Sequence, residues 1–180
     1  MKFQKLTKTV VAALFTAVIC VATFIVQIPS PATGGYVNLG DCFVLIAGMY
    51  LGYGYGGLAA GLGSALADML AGYSQYAPAT FVIKALMAFF ACLVFKSLSK
   101  KTQIGAKILG GLAAEVIMVG GYFLYEAVIL KYGMAAAGSI VPNIIQGIVG
   151  IVAAFALSAA LDAATKRSKT LSDFFGKGNK

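Results

Sequence analysis

Two stretches of this sequence, Thr9 to Ile28 and Tyr132 to Leu161, contain no charged side chain, and between Cys42 and Phe95 the only charges are Asp68 and Lys84. A helix needs about 20 apolar residues to cross the hydrocarbon core of a bilayer, so these runs have spanning length. Lipid offers the backbone no hydrogen-bond partners, which restricts spanning structures to helices and closed barrels. The runs lack the two-residue alternation of a barrel strand. The expectation is therefore an all-α polytopic membrane protein. Composition agrees, since 60% of the 180 residues are hydrophobic and 11% charged, too few charges for the surface of a soluble domain.

Lys2, Lys5 and Lys8 give the first run a basic front, as in a signal peptide. Its apolar stretch is longer than such peptides carry and further spans follow, so a retained first helix is expected. The net charge of +8 points to membrane orientation and anionic lipid rather than nucleic acid, because the basic residues flank apolar runs. Cys20, Cys42 and Cys92 are scattered through apolar sequence and suggest neither a disulfide framework nor a metal site. With histidine absent as well, no metal and no cofactor is expected.

Helices are expected at about 8–28, 39–53, 55–72, 79–97, 104–130 and 139–165, followed by a basic tail over 166–180, all in one integral membrane domain. The region 39–72 reads either as two short helices or as one long one. Its middle, Gly52-Tyr53-Gly54-Tyr55-Gly56-Gly57, favours a turn. The positive charges decide for two. Six spans put the Lys2/Lys5/Lys8 end, the Lys96/Lys100/Lys101/Lys107 loop and the Lys166/Arg167/Lys169/Lys177/Lys180 tail on one side, 12 of the 14 basic residues, with Lys131 opposite and Lys84 within the membrane. By the positive-inside bias that side is the cytoplasm, and both termini lie there. Small residues recur at intervals of four, Ala13 and Ala17 in the first helix and Gly57, Gly61 and Ala65 in the third. Such stripes let helices approach closely where no hydrophobic force drives them together.

Ionisable groups within spans are costly and mark function by default. Here they are Asp41, Asp68, Lys84, Glu115 and Glu126. With Tyr76 as the centre of a turn, Asp68 lies eight residues before it and Lys84 eight after, which sets them at one depth on antiparallel neighbours. A structural Asp68–Lys84 ion pair is one reading, and Lys84 as a ligand contact near the outer loops is the other. Glu115, Val119, Tyr122 and Glu126 share one helical face. Asn143 and Gln146 share another; Tyr73, Gln75 and Tyr76 precede the fourth helix, and Tyr36 and Asn38 precede the second. These groups converge near the outer half of the membrane and could grip a small hydrogen-bonding ring between aromatic surfaces. Tyr36 and Tyr122 read equally as interfacial belt residues, and Glu126 as a headgroup-level partner of Lys131. No Walker-type loop is present, so the chain does not itself hydrolyse ATP. Ser64 and Ser139 have no base beside them, and an enzyme is not expected.

The run Gly34-Gly35-Tyr36-Val37-Asn38-Leu39-Gly40-Asp41, the glycine-rich turn after it, Ser64-Ala65-Leu66-Ala67-Asp68, Tyr76-Ala77-Pro78-Ala79-Thr80 and Ile83-Lys84 together resemble the substrate-binding S components of energy-coupling-factor (ECF) transporters, over about residues 8–165. The resemblance implies a vitamin-capturing subunit in a bacterial cell membrane. Its partners would be a scaffold transmembrane protein and two cytoplasmic ATPases. It implies that Ala13 and Ala17, as an A-x-x-x-A motif, dock on the scaffold, and that the loop Pro29 to Asn38 acts as a lid with hinge freedom at Gly34-Gly35. The pattern is most similar to S components for pyridoxine-type vitamin B6 or hydroxymethylpyrimidine, with riboflavin a larger candidate. The substrate-binding set expected from the converging polar groups is Tyr36, Asn38, Asp41, Tyr76, Lys84, Glu115, Tyr122, Glu126, Asn143 and Gln146. Two other classes compete with the S-component reading. A self-sufficient secondary carrier would use Glu115 and Glu126 as proton sites but should show inverted repeats, and none is evident. A structural membrane protein would leave every buried charge merely paired.

Overall fold

The computed structural model describes residues 2–30, 33–168 and 175. Six helices alternate in direction: α1 (Lys2–Ile25), α2 (Asp41–Leu51), α3 (Tyr53–Leu70), α4 (Ala77–Leu98), α5 (Gln103–Leu124) and α6 (Ile140–Arg167). Between α1 and α2 the chain forms a small antiparallel hairpin of β1 (Ile28–Ser30) and β2 (Gly35–Val37), with Ser30 opposite Gly35. The hairpin was not expected from the sequence, which reads this segment as a plain loop. Pro29 suits an edge strand, and Gly34 turns at φ +64°, a conformation that favours glycine. Of the expected features, Pro31 and Ala32 of this loop and the tail lysines Lys169, Lys177 and Lys180 lie outside the described residues.

Among the described residues four helical stretches are long and apolar enough to cross a membrane: Lys5–Ile25, Ala77–Leu98, Gln103–Ile129 and Gly133–Arg167. Of the other two, α3 buries its small residues and leaves Leu58, Leu62, Leu66, Met69 and Leu70 exposed, whereas α2 occupies the interior. α2 has 11 residues, a rise of roughly 17 Å, and nine of them are buried among α1, α3, α4, α5 and α6. A helix apolar on every side is stable only when enclosed in this way. It ends at Gly52, whose φ of +85° and ψ of −177° are accessible to glycine and strained for other residues. The Gly-Tyr-Gly-Tyr-Gly-Gly stretch therefore breaks the chain at its first residue, and α3 begins directly after it.

Glycines fix the helix spacing. A Cβ on Gly48 of α2 would stand 2.3 Å from the Ala88 carbonyl oxygen of α4, one on Gly56 of α3 2.4 Å from that of Ala47, and one on Gly63 2.6 Å from that of Thr16 in α1. The small-residue face of α3 is thus an internal packing surface, as such stripes are elsewhere. Ala13 and Ala17 instead sit on the exposed side of α1, beside Val10, Leu14 and Val18, while Ile19 turns inward.

α5 ends in a π-helical turn, Tyr125–Ile129, and the chain returns through Lys131 at φ +60° and a 3₁₀ segment, Gly133–Ser139, into α6. A π turn rotates the residues within it relative to the preceding α-helix and often accompanies a functional site. Here it turns Glu126 inward, where it is buried.

Candidate ligand chamber

Because the helices alternate, one end of the bundle gathers the start of α2, the end of α3, the start of α4, the end of α5 and the start of α6, with the hairpin across them. A chamber lies there, walled by residues from each except α2 and by the hairpin: Ser30, Thr33, Gly35, Tyr36, Asn38, Asp68, Tyr76, Thr80, Tyr122, Glu126, Ser139, Asn143 and Gln146. Seven of the ten substrate-binding candidates are in this wall, namely Tyr36, Asn38, Tyr76, Tyr122, Glu126, Asn143 and Gln146. Their convergence follows from helix ends that are remote in sequence meeting under one hairpin.

Hydrogen bonds tie the hairpin to the helices beneath it. Tyr36 donates from its hydroxyl to Asp68 Oδ1 at 2.7 Å, and its ring lies 4.6 Å from that of Tyr73. The Tyr76 hydroxyl is shared between the Thr33 carbonyl oxygen at 2.9 Å and Glu126 Oε1 at 3.1 Å, and Ser139 donates to Glu126 Oε2. The Asn38 backbone N–H donates to Gln146 Oε1 at 2.7 Å. Deeper in, the Thr80 and Tyr122 hydroxyls share a 3.0 Å hydrogen bond. Burial and then the Asp68 carboxylate push the Tyr36 phenol well above the ordinary tyrosine range. Burial and then Glu126 do the same for Tyr76. Both phenols therefore remain neutral hydrogen-bonding groups at any physiological pH. The free space is about 30 Å³, room for little more than water.

The other three candidates lie below the floor. Lys84 and Asp41, 1% and 0% exposed, form an ion pair. This corrects the expected Asp68–Lys84 pair. Asp68 turns to the hairpin and Tyr36, whereas the lysine reaches α2 in the centre of the bundle. Gln146 links the two levels, because its Nε2 donates to Asp41 Oδ2 at 2.6 Å while its Oε1 holds the hairpin. The Lys84 ammonium also lies 5.6 Å from the centre of the Tyr122 ring, within cation–π range. Glu115 is 6% exposed, and neither carboxylate oxygen has a hydrogen-bond partner in the protein. It packs over Gly147 and Gly150 of α6, where one point lies 3.0 Å from Asp41 Cβ and 3.3 Å from Glu115 Oε1. Glu126, placed by the π turn, faces Tyr76 and Ser139, and no ion pair joins it to Lys131 among the described residues.

Sequence reasoning missed Ser30, Thr33, Thr80 and Ser139 as wall residues. Hydroxyls are common in membrane helices and loops, so only their position distinguishes them. Asp162 was also missed. At the other end of the bundle it accepts from Tyr50 at 2.6 Å and pairs with Lys107, which is buried rather than loop-exposed. A second depression, between α5 and α6 and walled by Leu112, Val116, Ile144 and Ile148, is almost wholly apolar, with Glu115 as its one acidic lining residue.

A helical membrane protein that hides a polar, aromatic chamber at one end has the build of a solute-binding subunit. The chain belongs to the ECF-type riboflavin transporter S component family, whose model matches residues 3–163. It is thus a transporter component rather than an enzyme. A curated relative from Lactococcus lactis subsp. cremoris (strain MG1363), named thiamine precursor transporter HmpT, is 29% identical over 160 residues, covering 88% of this chain and 90% of its own. Another, from Pyrococcus woesei, is described as an uncharacterized protein in a gap 3′ region. It is 35% identical over 134 residues, covering 74% of this chain and 87% of its own.

Proposed function

We propose that this chain captures a small hydroxymethylated nitrogen ring, of the hydroxymethylpyrimidine or pyridoxine type, from the extracellular side and delivers it for ATP-driven uptake. The observation that carries this reading is the gathering of amide, phenol, hydroxyl and carboxylate groups around a chamber at one end of the helical bundle. Those groups suit a small ring with donors and acceptors on its edge, held among Tyr36, Tyr76 and Tyr122. The name of the Lactococcus lactis relative, a thiamine precursor transporter, supports a vitamin precursor of this kind. Tyr36, Asn38, Tyr76, Tyr122, Glu126, Asn143 and Gln146 would touch the solute. Asp41, Lys84 and Glu115 would support it from below, chiefly through Gln146.

In this reading the six helices, with short α2 enclosed, place both termini in the cytoplasm and the hairpin outside, in keeping with the basic residues at the opposite end of the bundle. The hairpin is then the lid. Uptake needs a scaffold membrane protein and two ATPases, since the chain has no nucleotide-binding loop of its own. Ala13 and Ala17, exposed on α1, are the contact for the scaffold, where small residues allow close helix approach. The test is mass spectrometry of small molecules released from the purified chain. A hydroxymethyl pyrimidine or pyridine at near one-to-one amount is expected. Only lipid and detergent, together with no binding of these compounds when added, would refute the proposal.

A further inference from the structure

We propose that Asp68 makes this chamber selective for an unphosphorylated solute that presents an N–H or O–H donor, and that it turns away the phosphate ester of the same solute. The inference rests on the reading of the chamber as the solute site and adds to it the charge that the site accepts.

The wall carries two acidic side chains, Asp68 and Glu126, and among the described residues no lysine or arginine lines it. Lys84, the nearest buried cation, lies beneath the floor and is already paired with Asp41. Both oxygens of Glu126 are engaged, by Tyr76 and by Ser139. Asp68 differs. It is 4% exposed, Tyr36 occupies Oδ1, and Oδ2 accepts no hydrogen bond of good geometry, the Thr80 hydroxyl standing beside the carboxylate. Two hydroxyl oxygens in the same wall, those of Ser30 and Thr33, are likewise buried and without partners.

A carboxylate only accepts hydrogen bonds, so the group that completes Asp68 must donate. Buried polar atoms are almost always satisfied, and an orphan is costly unless something supplies its partner. An amino group, a ring N–H or a hydroxymethyl O–H would do so. A phosphate monoester carries about −1.5 to −2 charges near neutral pH and offers mainly acceptors. In this chamber it would meet two carboxylates and no free cation, and the starts of α2, α4 and α6 at this end of the bundle bring only the partial positive charge of helix N-termini against them.

The test is equilibrium binding to the full chain in detergent, with hydroxymethylpyrimidine and pyridoxine each measured against its monophosphate. The ester is expected to bind at least about 100-fold more weakly than its parent alcohol, the scale of a like-charge clash worth several kcal/mol. Asp68→Asn keeps an acceptor for Tyr36 and turns a donor into the chamber. It should weaken the alcohol at least about tenfold, as loss of a charged hydrogen bond does, and narrow the gap to the ester. Esters binding within tenfold of their alcohols would overturn the proposal, and this comparison needs no variant. So would an Asp68→Asn protein with both affinities unchanged. Failure of every alcohol and every ester to bind would instead overturn the solute-site reading on which the selectivity depends.

Discussion

Replacing Lys84 by Met should destabilise this protein strongly, and replacing Asp41 by Asn in the same chain should recover most of the loss. Lys84 is 1% exposed and Asp41 0%, so neither charge reaches solvent or lipid headgroups. Removing the ammonium leaves Asp41 with the Gln146 amide as its one remaining side-chain hydrogen bond. Breaking one side of a buried ion pair typically costs about 3–5 kcal/mol, because the surviving charge is stranded. Removing both charges strands nothing, and buried pairs often break even against uncharged residues of similar size. The double variant should therefore lie within about 2 kcal/mol of wild type, far short of the sum of the two single losses, and that shortfall is the coupling between the contacting residues. The assay is equilibrium unfolding in mixed micelles, with all four proteins of the cycle measured under one condition. Additive single losses would refute the argument, and so would a Lys84→Met cost below about 1 kcal/mol, since either result means that the pair is not desolvated.

Tyr36→Phe removes the hydroxyl that ties the hairpin to Asp68; solute release should accelerate about tenfold or more, from the roughly 1.5–3 kcal/mol of a hydrogen bond to a charged group, as read by stopped-flow dissociation. Gly48→Ala pushes a Cβ to within 2.3 Å of the Ala88 carbonyl oxygen. Backbone cannot yield as a side chain can, and a loss of at least about 1–3 kcal/mol in unfolding free energy is expected. Leucine at both Ala13 and Ala17, which sit on the exposed side of α1, should abolish copurification with a scaffold subunit and leave solute affinity within about threefold, since neither residue is in the chamber wall.

Much of the architecture was legible because lipid leaves few choices. Uncharged runs gave the long helices, and glycine density located the break that Gly52 makes. Most of the chamber was also visible as polar residues near helix ends that alternating topology brings together. Three features were hidden for identifiable reasons. The Lys84 partner depends on which neighbour the lysine faces, and depth alone does not distinguish Asp68 from Asp41. The hairpin depends on three short backbone pairings with little sequence signature. The π turn that aims Glu126 has no compositional cue, although the spacing of Glu115, Tyr122 and Glu126 on one face suggested that all three meet a solute. In the structure Glu115 lies two turns lower, roughly 11 Å along the helix from Tyr122.

The most direct measurement is an experimental structure of the chain with its captured solute. A single ring is expected beneath the hairpin, within hydrogen-bond distance of Asp68 and flanked by Tyr122 and Asn143. Density for the solute in the apolar depression between α5 and α6, with the chamber left collapsed, would contradict it.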